Sequence, residues 1–159
     1  MKKDYKYVSA MLVLLVLSIL VTCKTAQAYD ENGEAHCLAK NIYFEAGNQP
    51  LAGRIAVAQV TINRRNHSMF PNTICEVVYQ GGETRNKCQF SWYCDGKSDV
   101  PTDSETWLAS VLLAFRVLNF DDMDITEGSL WYHANYIDKP YWSSELTPTV
   151  IINNHIFYK

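Results

Sequence analysis

The run Cys37-Leu38-Ala39-Lys40-Asn41-Ile42-Tyr43-Phe44-Glu45-Ala46-Gly47 holds an acid in a setting suited to proton transfer. At about 100° per residue, Leu38, Ile42 and Glu45 point the same way, with Glu45 falling between the two apolar side chains. A helix with that face inward builds a carboxyl group into an apolar stripe. Burial disfavours the charged form, so the pKa rises toward the range of a general acid. The competing reading is an edge position whose head reaches water, common for Glu on amphipathic helices. Gly47 offers a helix stop, and Asn48-Gln49-Pro50 leads into a second helix.

A second chemically suggestive stretch is Cys88-Gln89-Phe90-Ser91-Trp92-Tyr93-Cys94-Asp95-Gly96. It interleaves amide, hydroxyl and aromatic groups between two cysteines and ends in an Asp-Gly turn. Sugars are held this way, aromatic faces on C–H surfaces and polar groups on ring hydroxyls. The alternative is a stapled loop whose aromatics pack inward. Lys139-Pro140-Tyr141-Trp142 reads as an exposed aromatic loop. Tyr132 and His133 are neighbours on an expected strand, so only one of them lines a cleft unless a bulge intervenes.

Cys37, Cys75, Cys88 and Cys94 form an even set, and two disulfides are expected, with three connectivities open. A bond from Cys88 to Cys94 closes a short loop and leaves Cys37 for Cys75, but sequence does not settle the pairing. There is no Cys-x-x-Cys pair, and His36, His67, His133 and His155 give no His-x-x-x-His pair, so no metal site is expected. A Cys-His peptidase using Cys88 or Cys94 with His133 or His155 would need a free thiol, which disulfide formation removes.

Several elements must position these groups. Pro50 to Arg65 reads as a helix apolar on most sides, therefore central, with Gln59 and Asn63 facing inward and Glu45 as one candidate partner. Thr73 to Tyr79 is apolar and short, of ambiguous type. Thr102-Asp103-Ser104-Glu105 is a capping-box pattern opening a scaffold helix to about Asn119, with Trp107, Leu108, Val111, Leu112, Phe115 and Leu118 as its apolar face. Ser129 to Ala134 reads as a strand, and Thr149–Ile152 with His155–Tyr158 as a terminal hairpin around Asn153-Asn154. The fold class is α+β, helices first and a small antiparallel sheet late.

The N-terminus has the layout of a secretory signal: Lys2, Lys3 and Lys6, then 16 apolar-rich residues from Val8 to Cys23, then Ala26-Gln27-Ala28. Cleavage after Ala28 is expected, and a retained membrane anchor is the rival, because the run stops short of a spanning length of about 18 residues. Residues 29–159 then make one domain of 131 residues, enough for one core. The leader takes four lysines and one aspartate from totals of 14 basic and 17 acidic residues, leaving 10 and 16, a net −6. That balance excludes nucleic acid as a partner and disfavours electrostatic docking on anionic polymers.

Eight motifs in order carry a resemblance. They are Ile42-Tyr43-Phe44-Glu45-Ala46, Gly53-x-x-Ala56-Val57-Ala58-Gln59-Val60-x-x-Asn63-Arg64, Phe70-Pro71-Asn72-Thr73-Ile74-Cys75-x-Val77-Val78-Tyr79-Gln80, Cys88-Gln89-Phe90-Ser91-Trp92 with Cys94-Asp95-Gly96, Tyr132-His133-Ala134, Pro140-x-Trp142 and His155-x-Phe157-Tyr158. From Cys37 to Tyr158 the chain resembles the catalytic domain of the SleB-type cell wall hydrolases, which include spore-cortex-lytic enzymes. One departure is visible: the family commonly has Arg-Gly-Glu after the Glu-Ala pair, and Gly47-Asn48-Gln49 stands here.

The resemblance implies a lysozyme-like fold, mainly helical, and cleavage of the β-1,4 bond between N-acetylmuramic acid and N-acetylglucosamine by lytic transglycosylase chemistry. It implies Glu45 as the catalytic acid, Gln89, Ser91, Tyr132, His133, Trp142 and His155 as substrate contacts, and no cofactor. Asp95 is the one candidate second carboxylate for a muramidase, which needs a partner at a set distance. A peptidoglycan-binding protein without turnover is the other alternative. An exported, monomeric enzyme acting on glycan strands in the periplasm or cell wall is expected, without a separate peptidoglycan-anchoring module, and meeting the membrane only through an uncleaved leader.

Overall fold

Helix α1 (Glu34–Ala46) is the element against which α2 (Leu51–Asn66), α3 (Ile74–Val78) and α4 (Ser104–Asn119) all pack. The computed structural model describes residues 30–120 and 124–159. The expected signal segment, residues 1–28, lies outside the described residues. Three short strands follow the helices: β1 (Trp131–Ala134), β2 (Pro148–Ile152) and β3 (His155–Tyr158), with 3-10 turns at Ser91–Cys94 and Tyr141–Ser144. Among the described residues, no helix is long and apolar enough to cross a membrane.

The apolar stripe of α1 does what its spacing predicts. Leu38 and Ile42 are fully buried beside Cys37 and Ala39, and the cluster takes in Ile74, Val77 and Val78 from α3 and Leu113, Ala114 and Val117 from α4. The Cys37–Cys75 disulfide ties α1 to α3. Glu34 reinforces that join, its Oε1 accepting the Ile74 N–H at 2.8 Å and so satisfying an orphan donor at the start of α3. At the other end α1 stops where α4 crosses it. A Cβ on Gly47 would sit 3.0 Å from the Thr106 methyl, so the absent side chain is what allows the approach.

Helix α2 is buried on two sides. Ala58 joins the α1 cluster, while Ala56 and Val60 pack under the sheet against Phe157. Gln59 and Asn63, for which the sequence offers Glu45 as one candidate partner, bond instead to the 124–129 loop. Asn63 Nδ2 donates to Asp124 Oδ2 (2.9 Å), Thr126 Oγ1 (3.2 Å) and the Ser129 carbonyl (3.1 Å), and Gln59 Oε1 accepts the Ile125 N–H (2.9 Å). These bonds anchor the loop that leads into the sheet.

Two details of α4 differ from the sequence pattern. The N-cap is Asp103, whose Oδ1 accepts the Thr106 N–H, rather than Thr102. The Tyr43 hydroxyl accepts the N–H groups of Thr102 (3.1 Å) and Asp103 (3.0 Å), which places Thr102 ahead of the helix. The buried face also turns: Ser110, Leu113, Ala114 and Val117 point inward, leaving Leu108, Leu112 and Phe115 exposed. A helix apolar on most of its circumference does not reveal its buried side by periodicity.

The sheet runs β1-β3-β2, all antiparallel, with Tyr132 opposite Phe157 and His133 opposite Ile156. The β2–β3 hairpin turns at Asn153, which adopts φ 50°. β1 begins two residues later than expected, because Ser129 closes a turn back to the Thr126 carbonyl.

Candidate active site

Glu45 sits on the last turn of α1, partly buried, facing β1. The Tyr132 hydroxyl donates to its Oε2 at 2.9 Å. Burial raises the Glu45 pKa above the ordinary carboxylate value, while the Tyr132 hydrogen bond and the Arg64 charge pull the other way. The net direction is upward, toward a carboxyl group that holds its proton.

Arg64 is 3% exposed, a cation in the interior. Its Nε donates to the Leu130 carbonyl at 2.7 Å, and its guanidinium lies over Phe90 (4.9 Å) and Phe70 (5.4 Å). The Gln89 amide, turned with its oxygen toward Arg64, accepts from the two terminal nitrogens at 3.0 and 3.3 Å. Burial lowers the Arg64 pKa to about 10, opposed by Tyr132 and Glu45, so the group stays charged at neutral pH. The sequence pattern treats Arg64 as an ordinary basic helix end. Its signal was the spacing from Val57, Val60 and Thr61, which puts it on the buried face.

Two cavities meet at Glu45. One, of about 220 Å³, lies between the Gln89–Ser91 segment and the sheet, and is lined by Arg64, Gln89, Ser91, Trp131, Tyr132 and Trp142. The other, of about 490 Å³, opens along the end of α1, between Tyr43, Gln49, Asp103, Thr106, Tyr136 and His155. A larger groove of about 860 Å³, between Phe70 and Glu83, does not include Glu45. The part-buried acid, rather than the size of the cavity, marks the candidate site.

Gln89, Ser91, Tyr132, Trp142 and His155 therefore all line one or other of the two cavities. His133 does not. Strand alternation turns it away from Tyr132, and its Nε2 meets the Tyr158 hydroxyl at 2.9 Å in a buried stack that backs Trp142. Asp95 also lies elsewhere: its Oδ1 accepts the Lys97 N–H at 2.8 Å and its other oxygen pairs with Lys97 Nζ, so it serves its own turn. Asp103 is the other carboxylate lining a cavity with Glu45, and it is engaged as the α4 cap.

The 88–94 loop divides its labour. Phe90 and Trp92 pack inward, Trp92 stacking on Phe44 at 4.6 Å and donating its indole N–H to Asn41 Oδ1 at 3.0 Å. Asn41 passes the chain on to Thr61 Oγ1 (3.0 Å), so the loop is pinned to α1 and α2 through a buried polar relay. Gln89 and Ser91 remain for the cavity. Cys88 is bonded to Cys94 and Cys37 to Cys75, which leaves none of the four as a thiolate nucleophile. Among the described residues, no three His, Cys, Asp or Glu side chains gather as a metal-ligand set.

The chain is thus a mainly helical α+β domain with one half-buried acid at the junction of two polar, aromatic-edged cavities. A family model described as Cell Wall Hydrolase matches residues 48–158, and the chain belongs to that family. Glu45 lies just ahead of the matched interval. A spore cortex-lytic enzyme of Bacillus cereus is 28% identical over 131 residues, covering 82% of this chain and 46% of that protein. One from Bacillus subtilis is 37% identical over 49 residues, 31% of this chain and 16% of that protein. The chain spans under half the length of these curated relatives.

Solved structures cover it more evenly. The catalytic domain of the Bacillus cereus SleB protein superposes with a TM-score of 0.62 at 28% identity, over 84% of this chain and 94% of that one. The catalytic domain of the germination-specific lytic transglycosylase SleB from Bacillus anthracis gives 0.63 at 27%, over 85% and 100%.

Proposed function

We propose that this domain cleaves the β-1,4 bond between N-acetylmuramic acid and N-acetylglucosamine in peptidoglycan, as a lytic transglycosylase. The observation that carries the reading is Glu45 itself, the one carboxyl group among the described residues that lines both cavities. A glycan strand laid through the two cavities brings its scissile oxygen to that carboxyl. Glu45 gives its proton to the glycosidic oxygen as the C1–O bond breaks. The carboxylate left behind is stabilised by the Tyr132 hydroxyl and the Arg64 charge. It then takes the proton from the muramoyl 6-hydroxyl as that oxygen bonds to C1, closing a 1,6-anhydro ring.

A two-carboxylate muramidase is supported less well, since Asp95 is committed to its turn and Asp103 to the α4 cap. The family and its cortex-lytic relatives support an enzyme working outside the cytoplasm, as do the two disulfides. The reading includes export through residues 1–28, mature protein beginning at Tyr29, and action as a monomer.

Mass spectrometry of muropeptides after digestion tests the chemistry. Anhydro ends are expected from the wild type. Glu45→Gln, which keeps the hydrogen-bonding shape but cannot donate a proton, should lose at least about 100-fold in turnover while staying folded. Reducing ends would replace the mechanism with hydrolysis, and a folded Glu45→Gln of near wild-type activity would remove Glu45 from the chemistry.

A further inference from the structure

Trp142 lines the cavity of about 220 Å³ beside Glu45, and it does so from a single 3-10 turn, Tyr141–Ser144. The backbone of that turn is fixed. The buried Ser143 gives the Pro140 carbonyl both its N–H (3.1 Å) and its hydroxyl (2.7 Å), and the Glu145 N–H bonds the Trp142 carbonyl at 3.1 Å. None of these bonds sets where the part-buried indole points. Its two side-chain torsions have to be chosen by packing.

That packing comes from two rings of the sheet. His133 on β1 and Tyr158 on β3 are stacked at 5.5 Å and 21°. Each meets the Trp142 indole nearly at a right angle, His133 at 5.9 Å and 77°, Tyr158 at 5.7 Å and 84°. Hydrogen bonds lock the pair. A carbonyl only accepts, so the 2.9 Å contact of His133 Nδ1 with the Ala134 carbonyl puts the ring proton on Nδ1. Nε2 is left to accept the Tyr158 hydroxyl at 2.9 Å. Both rings are buried, and neither lines a cavity beside Glu45.

We infer that the His133–Tyr158 pair positions the Trp142 indole as the platform for a sugar ring, so that His133 governs how tightly a glycan strand is held without touching it. An aromatic ring takes a sugar on a C–H face, and that contact depends on the tilt of the ring. His133 is therefore a positioning residue. It acts on binding, whereas Tyr132 serves the proton transfer at Glu45 from the opposite face of β1. The inference rests on the proposed glycan cleavage and adds how one wall of the cavity is set for its substrate.

The test measures KM and kcat separately on soluble glycan strands, well below the melt of each variant. His133→Leu should raise KM by about fivefold or more, the worth of one aromatic contact, with kcat close to wild type. His133→Gln, whose side-chain oxygen can stand where Nε2 does and accept the Tyr158 hydroxyl, should recover most of that loss. Trp142→Leu should raise KM at least as much. Adding His133→Leu to it should raise KM no further, because the histidine then has no indole to position. A merely structural His133 would lower the melt in both backgrounds and leave KM where it was. If His133→Leu does not fold, Tyr158→Phe, which keeps the stacked ring and removes the hydroxyl, takes its place in the same two backgrounds. Additive effects on KM, or folded variants with KM unchanged, overturn the assignment and leave the cleavage reading standing. A wild type that cuts no strand brings down the cleavage reading. Affinity of the same strands for the Glu45→Gln protein, read by tryptophan fluorescence with and without the His133 and Trp142 changes, then decides the platform by itself, and equal affinities overturn it.

Discussion

At the scale of single residues, Glu45 is governed by one opposition: desolvation holds the proton on, and Tyr132 and Arg64 make its loss tolerable. An acid that must later act as a base needs both. Because the folded pKa is raised, the folded chain binds the proton more tightly than the unfolded chain does. Stability is therefore full below the unfolded value and declines as pH rises through the folded one. Glu45→Gln has nothing to titrate. Its melting temperature should gain on the wild type as pH rises across that window and level off above it. Melting curves over a pH series check this, and a difference that stayed flat or shrank would mean the carboxyl is not destabilised by burial. Glu45 stood out in the sequence as a candidate because an acid broke an apolar period, though an edge position fitted that period as well and the resemblance weighted the choice. Arg64 did not, because a basic residue in a last helical turn normally serves the helix dipole, and only the packing of Phe90, Phe70 and Gln89 around it gives it another role.

At the scale of elements, the site depends on α1 meeting β1, and strand alternation gives two adjacent residues opposite duties. Tyr132 faces the acid, and His133 faces the stack with Tyr158 and Trp142. Tyr132→Phe removes a hydrogen bond that favours the carboxylate, so the alkaline limb of the kcat/KM profile should move to higher pH with little change in the melt. His133→Phe should do the reverse: the Tyr158 hydroxyl loses its buried partner, costing about 1–3 kcal/mol, while the alkaline limb stays where it was. Finding the pH shift in the His133 variant instead would assign the tuning to the wrong face of the strand. The alternation was readable in advance, but which face met the cleft was not, since it depends on how β1 is seated over α2. The same limit applies to α4, where Leu108, Leu112 and Phe115 fit an apolar stripe as well as the residues that are in fact buried. The 88–94 loop shows it again: composition could suggest sugar or core for Trp92, and the Asn41 bond decides for core.

At the scale of the whole domain, two disulfides act on different properties. Cys37–Cys75 spans 38 residues and joins two core helices, whereas Cys88–Cys94 spans 6 and closes the loop that brings Gln89 and Ser91 to the cavity. If each acts by restricting the unfolded chain, their worth follows the logarithm of the loop they close, about 4 kcal/mol for the long one and about 2 kcal/mol for the short one. Activity should follow the opposite order. Cys88 itself lines the 220 Å³ cavity, and the adjacent Gln89 braces the Arg64 guanidinium beside Glu45. Releasing that loop frees both a cavity-lining side chain and the support of the Arg64 charge, which the proposed mechanism uses to stabilise the Glu45 carboxylate. The Cys37→Ala/Cys75→Ala protein should therefore melt at the lower temperature yet keep most of its kcat/KM when assayed well below the melt. The Cys88→Ala/Cys94→Ala protein should melt closer to wild type and lose the larger share of activity. Thermal melts and muropeptide release on the same preparations read the two quantities together. If the long-loop variant lost more of both, the short disulfide would be a staple for stability alone, and the 88–94 loop would hold its place through Trp92 and Asn41 without it.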